Sequence, residues 1–420
     1  MNLCRILFLP LLFLLPCFCV AEEEYQVASI QARLANREEI RPVAYYYLGS
    51  GEQISISFDL IRSDNVPIYY RVFRLARGNE SELQPIEYSS NTRCIELFSG
   101  QPSRSTKIPY VHYDLHIPNR EIALSMSGLY LLELYRSDMQ GRGEGFAQIP
   151  FVVVEPKVEV SMEFPVATVV GDLETEQEVD VHIRAQDYNF MAAGNRVEVE
   201  VWKNYAEDFR LLTEPSQIRI NELVYDARKS AVFAGGNEYL HYDLLDISTG
   251  SMLGIDHIER ARDADHIYLP IGRNTMHAPY IYEPDMDGRQ EIRSTSFGIS
   301  RPELEAEYYF VHFSLDYGDA RLTQDSHFAL VGEAFYLQPQ SPVMSIDHRS
   351  GIAKYTALIK QGYVDYAYVI QGPSGSPIHL RGEHRETTNT YTAFVFDENP
   401  QNNSYRVIGA KTMRNTSRSI

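Results

Sequence analysis

The sequence predicts an all-β protein, a series of tandem immunoglobulin-like β-sandwich domains behind a cleaved signal peptide. Three observations carry that reading. Tyrosine and phenylalanine number 29 and 19 of 420 residues, against a single tryptophan, and aromatic side chains suit a pleated, half-buried surface. Apolar and polar residues alternate with period two in segment after segment, the mark of a strand with one wet face. Those segments recur at roughly ten-residue spacing with turn residues between them, which is how sandwiches read in sequence.

A chain of this length, 44% hydrophobic and 23% charged, suffices for two or three domains that each bury a core. At the N-terminus Arg5 precedes an apolar run, Ile6 to Phe18, broken by Pro10 and Pro16. Cys19-Val20-Ala21 then offers small residues ahead of Glu22-Glu23-Glu24. This reads as a secretory signal peptide spanning residues 1–21. Its apolar run rises only about 20 Å as a helix, short of a hydrocarbon core of roughly 30 Å, so a retained anchor is the weaker alternative. Acylation of Cys17 or Cys19 is a minority reading, because Pro16 and Phe18 stand where small residues are wanted. Beyond the signal only Cys94 remains, so the domains must hold together by burial and not by disulfides, a pattern that fits a bacterial periplasm. No later segment is long and apolar enough to span a bilayer, and no ladder of lipid-facing strands repeats. The formal charge of −19 repels polyphosphates, so no nucleic-acid partner is expected.

Taken in order, the first unit is expected over 22–156. Leu48-Gly49-Ser50-Gly51 is a turn, and Gln53 to Phe58 alternates as a strand. Leu129 to Tyr135 and Phe151 to Val154 are further strands, with the Gly141-Arg142-Gly143 loop between them and Glu155-Pro156 closing the unit. A second unit is expected over 157–300. It holds Val158 to Met162, Val179 to Ile183, and Val197, Val199 and Val201 interleaved with Glu198 and Glu200. Glu222 to Asp226, His266 to Leu269 and Tyr280 to Tyr282 continue the pattern. The polar stretch from Arg289 to Glu305 marks the next boundary. The third unit, 301–420, contains Tyr308 to Phe313, His327 to Gly332, Lys354 to Ile359, Tyr363 to Ile370 and Thr390 to Phe396, with a turn at Gln361-Gly362.

Candidate chemistry is sparse. On a strand His112, Asp114 and His116 would share one face, and such donors suit zinc. Same-face neighbours nonetheless lie roughly 6 to 7 Å apart, wide for one ion, so the polar face of an amphipathic strand is the preferred account. Asp285-Met286-Asp287-Gly288 with Glu291 hints at a calcium loop but lacks the remaining ligands, and reads as a turn. There is no Gly-x-Ser-x-Gly elbow, no His-Glu-x-x-His and no phosphate-cradling loop. Cys94, followed by Ile95-Glu96-Leu97-Phe98, reads as a buried, unreactive thiol. No metal and no cofactor are expected, and no enzyme. Phe233-Ala234-Gly235-Gly236-Asn237-Glu238-Tyr239 is a distinctive run. Its glycines permit positive φ or a close backbone approach, and Asn237 tolerates the left-handed region. A seat for a partner and a tight loop between strands are both open.

An ordered set of runs resembles the type IX secretion system plug protein family of Bacteroidetes. It comprises Tyr47-Leu48-Gly49-Ser50-Gly51-Glu52 leading to Ser57-Phe58-Asp59, Pro109-Tyr110-Val111-His112-Tyr113 followed by Ile117-Pro118-Asn119, Ser127-Gly128-Leu129-Tyr130, Val154-Glu155-Pro156, Gln177-Glu178-Val179-Asp180 and Phe233 through Glu238. Leu358 through Tyr363, Gly382-Glu383-His384 and Glu386-Thr387 complete it. Departures fall after Tyr69-Tyr70-Arg71, where Phe73-Arg74-Leu75 stands, and at Glu176. The third unit is also similar to a glycogen-binding-type E-set sandwich, through Val331 to Phe335 and Gln361 to Tyr366, without that module's stacking tryptophan.

The plug resemblance implies a periplasmic protein associated with the outer membrane, whose partner is a large outer-membrane secretion barrel that it seals when no cargo passes. Contact with the membrane would come only through that partner or a lipid anchor. Gly49, Gly51, Tyr110, His112, Tyr113, Gly235, Gly236, Asn237 and Glu238 are the family-motif positions expected to bind the partner, with exposed tyrosines as anchors. A periplasmic or surface carbohydrate-binding protein is the second reading.

Overall fold

The computed structural model describes residues 26–415 apart from 37–38, 78–82, 137–144, 167–170, 194–195, 246–253, 295–298, 340, 373–375 and 400–403. The expected signal segment, with Cys17 and Cys19, and the Gly141-Arg142-Gly143 loop lie outside the described residues. Strands account for 49% and helix for 5%, the all-β fold that the sequence predicts.

The first sandwich shows how alternation becomes layers. In Ile54–Leu60 and Val111–Ile117 every second side chain is fully buried, because successive strand residues point to opposite faces. These strands pair antiparallel, flanked by Val27–Leu34 and Gln101–Pro102, as one sheet. The facing sheet runs Tyr45–Tyr47, Gly145–Val154, Gly128–Arg136, Ile68–Leu75 and Ile95–Leu97. Inward side chains of both, among them Ile56, Phe58, Tyr113, Tyr130, Leu132 and Phe151, form one continuous core.

The central sandwich departs from the expected succession of units. One of its sheets contains Glu159–Glu163, Glu176–Arg184, Glu222–Tyr225 and Ala231–Ala234. The other places Val197–Lys203 between Asp208–Leu212 and Thr390–Asn399, with Ser404–Arg414 beyond. Val197 pairs with Asp397 and Lys203 with Tyr391, and Tyr391, Ala393, Val395 and Ile408 fill the same core as Val181, Val199 and Phe233. The boundary expected at 300/301 therefore does not separate two consecutive sandwiches, since strands from beyond residue 390 complete the central one.

The third sandwich is inserted between Ala234 and Thr390. Its long strand Gly362–Gln371 pairs with Leu240–Asp243 and Gln290–Ile292 along its first half, and with His327–Val331 and Ile378–His379 along its second. The opposing sheet centres on Tyr308–Asp316 paired with Ile352–Lys360. Phe313, Tyr366, Leu330, Val311 and Tyr242 meet between them.

The three bodies are packed on one another. Val43, Tyr45, Val152 and Val154 of the first sandwich share an apolar cluster with Phe394, Phe396, Val407 and Ala410 of the central one. Ala28 and Tyr110 of the first meet Tyr308 of the third.

Candidate functional site at two polar joints

Elementary electrostatics makes a fully buried charge costly unless it is paired and hydrogen-bonded, so places where a chain buries several mark strong constraints. Here they concentrate at the joints between sandwiches.

At the joint of the first and third sandwiches, Asp59 lies on the face of its strand that alternation predicts to be wet, yet it is 1% exposed. The end of Ile352–Lys360 delivers the Lys360 ammonium to Asp59 Oδ2 at 2.6 Å, both side chains 1% exposed. Tyr308 donates its hydroxyl hydrogen to the same oxygen at 2.6 Å, and His112 Nδ1 lies 2.7 Å from Asp59 Oδ1. Lys360 also donates to the Glu303 carbonyl at 2.7 Å and sits 4.1 Å above the Tyr110 ring centre, a cation–π contact. Burial outweighs the pull of Asp59 and lowers the Lys360 pKa. Nearby, Arg33 of the first sandwich holds Glu333 of the third, Nε donating to Oε1 at 3.0 Å and Nη2 to Oε2 at 2.7 Å, the fork geometry that guanidinium favours.

At the joint of the central and third sandwiches, the Phe233–Glu238 run lies against residues 379–389. A Cβ on Gly235 would stand 2.0 Å from the His384 carbonyl oxygen, and Gly236 has φ +73°. Both uses of glycine allowed by the sequence thus occur side by side. The Gly236 carbonyl accepts from His384 N at 2.8 Å and from Thr387 Oγ1 at 2.9 Å. The Gly235 carbonyl accepts from Asn389 Nδ2 at 2.8 Å and from Lys203 Nζ at 3.1 Å. Gln177 Nε2 donates to the carbonyls of Arg385 and Thr387. Asn237 donates to the Arg381 carbonyl at 2.7 Å, and Glu238 accepts from the Tyr280 hydroxyl. Burial lowers the pKa of Lys203, raises those of Glu238 and Glu383, and depresses that of His379 to about 3, with Lys203 adding to the last shift.

Runs scattered through the sequence therefore converge. Ser57-Phe58-Asp59, Pro109 to Tyr113 and Leu358 to Tyr363 meet at the first joint. Gln177-Glu178, Phe233 to Glu238 and Gly382 to Thr387 meet at the second. Between the first and central sandwiches, Tyr47 donates its hydroxyl hydrogen to the Ala410 carbonyl at 2.7 Å, and Glu155 N donates to Val407 O at 2.8 Å.

This arrangement changes the account of the expected partner contacts. Tyr110 is 1% and Tyr113 0% exposed, Asn237 is 6% and Glu238 1%, while His112 is engaged with Asp59 and Gly235 and Gly236 are buried. These positions hold the chain to itself and present little or nothing to another protein. Gly49 and Gly51 differ. Both are exposed at a loop tip with φ near +80°, and a Cβ added at either would meet nothing within 4 Å. Many tyrosines are interior, with Tyr45, Tyr46, Tyr70, Tyr110, Tyr113 and Tyr130 among the largest fully buried side chains, while Tyr282 is 44% exposed.

Among the described residues no group of three or more His, Cys, Asp or Glu is placed to hold a metal. His112, Asp114 and His116 do share a face, but Asp114 accepts from Ser55 Oγ at 2.9 Å, and His116 Nδ1 lies 3.8 Å from Asp114. Asp285, Asp287 and Gly288 form the expected turn, with Met286 N and Gly288 N donating to Asp365 Oδ2. Cys94 is free and half-buried, less enclosed than its sequence neighbours imply. Sequence reasoning missed Lys203, Lys360 and Arg33. The signal for the first was available, because Lys203 extends the inward series Val197, Val199, Val201 and so puts an ammonium on a core-facing position.

The chain belongs to the class of all-β proteins built from interlocked sandwiches, here joined through buried polar contacts. The family model described as "Type 9 secretion system plug protein 1st domain" matches residues 27–155, so the first sandwich is similar to the first domain of type IX secretion system plug proteins. A solved structure described as a hypothetical protein from Parabacteroides merdae ATCC 43184 is similar at a TM-score of 0.84 and 25% identity, covering 93% of this chain and 97% of that one. No curated protein matches. No helix among the described residues is long and apolar enough to cross a membrane.

Proposed function

We propose that this chain is a non-catalytic periplasmic protein that docks on the large outer-membrane translocon barrel of the type IX protein secretion system and seals its pore while no cargo passes. The observation that carries the reading is the family match over the first sandwich. The build is consistent with it. A stopper for a wide pore must not flex, and the joints described above bind three sandwiches through buried ion pairs as well as apolar packing. Release on demand asks for a moderately sized, partly polar interface instead of an obligate apolar one. On the first sandwich the Gly49–Gly51 loop, Ile86 at 74% exposure and Phe98 at 83% are the surface features available for such a contact.

The test is purification of a tagged chain from native membranes. Recovery of a large outer-membrane barrel supports docking, and its absence overturns it. A deletion strain that still excludes large antibiotics would leave docking intact and remove the sealing role.

A further inference from the structure

We propose that the cleft between the central and third sandwiches binds a short neutral oligosaccharide. The cleft encloses about 620 Å³, within the range of small-ligand sites. One wall is the hairpin that joins Val197–Lys203 to Asp208–Leu212, and the other is the strand His327–Val331 with the helix Glu333–Tyr336.

The chemistry of the walls selects the ligand class. Trp202 and Phe209 are cross-strand partners whose rings stack with centres 5.0 Å apart. Phe209 remains 50% exposed, an open aromatic surface of the kind that packs on the C–H face of a sugar ring. Beside it Asp208, 8% exposed, accepts from Arg210 Nη1 at 2.6 Å and from Ser376 Oγ at 2.9 Å. Glu207 accepts from the Tyr239 hydroxyl through Oε1, while its Oε2 is buried with no partner among the described residues.

Carboxylates and a guanidinium lie together within one short segment, so the lining suits groups that both donate and accept. Hydroxyls do this. A strongly anionic ligand would meet Glu207 and Asp208, a cation would meet Arg210, and a purely apolar ligand would strip water from Arg210 and Ser376 without replacing it. The cleft lies apart from Ile86, Phe98 and the Gly49–Gly51 loop in sequence, and the inference does not depend on docking to the barrel.

Trp202 is the only tryptophan in the sequence, so intrinsic fluorescence reports on this cleft. The full chain is titrated with maltotriose, cellotriose, chitotriose and, separately, with neutral hexapeptides, and each titration is repeated by calorimetry. The expected result is a saturable change in Trp202 emission with matching heat for at least one trisaccharide. By calorimetry Phe209→Ala and Asp208→Asn should each weaken that binding at least tenfold with unchanged far-ultraviolet dichroism. If no trisaccharide gives saturable heat, or if the peptides bind and the sugars do not, the proposal is overturned. A trisaccharide that binds both variants as tightly as the parent overturns it as well.

Discussion

Lys360 and Asp59, 301 residues apart in sequence, meet at 2.6 Å with neither side chain more than 1% exposed. Removing one partner leaves the other charge uncompensated in the interior, which typically costs about 3–5 kcal/mol. Lys360→Met should therefore lower unfolding free energy in guanidinium by about that much. The double variant Asp59→Asn with Lys360→Met should lose less than the two single losses together, with a coupling of about 1–3 kcal/mol. Strict additivity in that cycle would show that the pair does not hold the joint.

The two glycine sites should respond unequally. Gly49→Ala places a Cβ in open space at φ +78°, where the left-handed conformation alone costs roughly 1–2 kcal/mol. Gly235→Ala sets a Cβ 2.0 Å from the His384 carbonyl oxygen, so backbone on one side of the joint must move. Thermal melts should show a small shift for the first variant and a far larger one, with loss of cooperativity, for the second. Equal shifts would mean that the loop can retreat.

Buried titrating groups give the stability a definite pH dependence. Burial, with Asp365 alongside, pushes the Asp285 carboxyl up to about 8, and burial pushes Asp365 up to about 6. An acid whose pKa is raised on folding binds its proton more tightly in the folded state. Its contribution is therefore whole below the ordinary carboxylate range near 4, and it is lost as pH climbs through the folded value. His379, depressed to about 3 by burial and Lys203, acts in the opposite sense and costs stability as pH falls below about 6.5. Between about 4 and 6 the two carboxyls outweigh the one histidine and stability declines; from about 6 to 6.5 Asp285 and His379 balance; and the decline resumes from there to about 8. The melting temperature should be higher at pH 6 than at pH 8.5. Asp285→Asn should flatten that slope, and His379→Gln should steepen the decline between about pH 4 and 6.5.

Docking through the first sandwich makes a separate prediction. Phe98→Asp and Ile86→Asp alter side chains that are 83% and 74% exposed, so melting temperatures should stay within about 2 °C of the parent, as for ordinary surface changes. Recovery of the barrel in pulldowns should fall several-fold for at least one of them. Full recovery with both would move the contact away from this end of the sandwich.

Periodicity made much of this fold legible. It put His112, Asp114 and His116 on one face and Val197, Val199 and Val201 on the other side of a strand, as found. It misjudged what covers the polar faces. Alternation marks the residues that point away from a core, but it does not distinguish water from the polar seam of another sandwich. His112 therefore reads as part of a polar strand face, and the same alternation carried on past Phe58 puts Asp59 on one, although the third sandwich covers both. The second partner of Val197–Lys203 was equally hidden, because a strand's own pattern carries no address for the segments that pair with it, and beside the neighbouring Asp208–Leu212 the strand takes Thr390–Asn399 from the far end of the sequence. The convergence of distant motif runs at two joints became visible only in three dimensions.

Ribosomes deliver a chain from its N-terminus, and here the strands Thr390–Asn399 and Ser404–Arg414 close a sandwich begun more than two hundred residues earlier. Until they emerge, Val197–Lys203 has an unsatisfied edge and the central core lacks Tyr391, Ala393 and Val395. Folding of the central sandwich is thus tied to the arrival of residues 390–414. A product that stops before those strands keeps a sticky, protease-sensitive half-sheet, and only a molecule that carries them can snap shut.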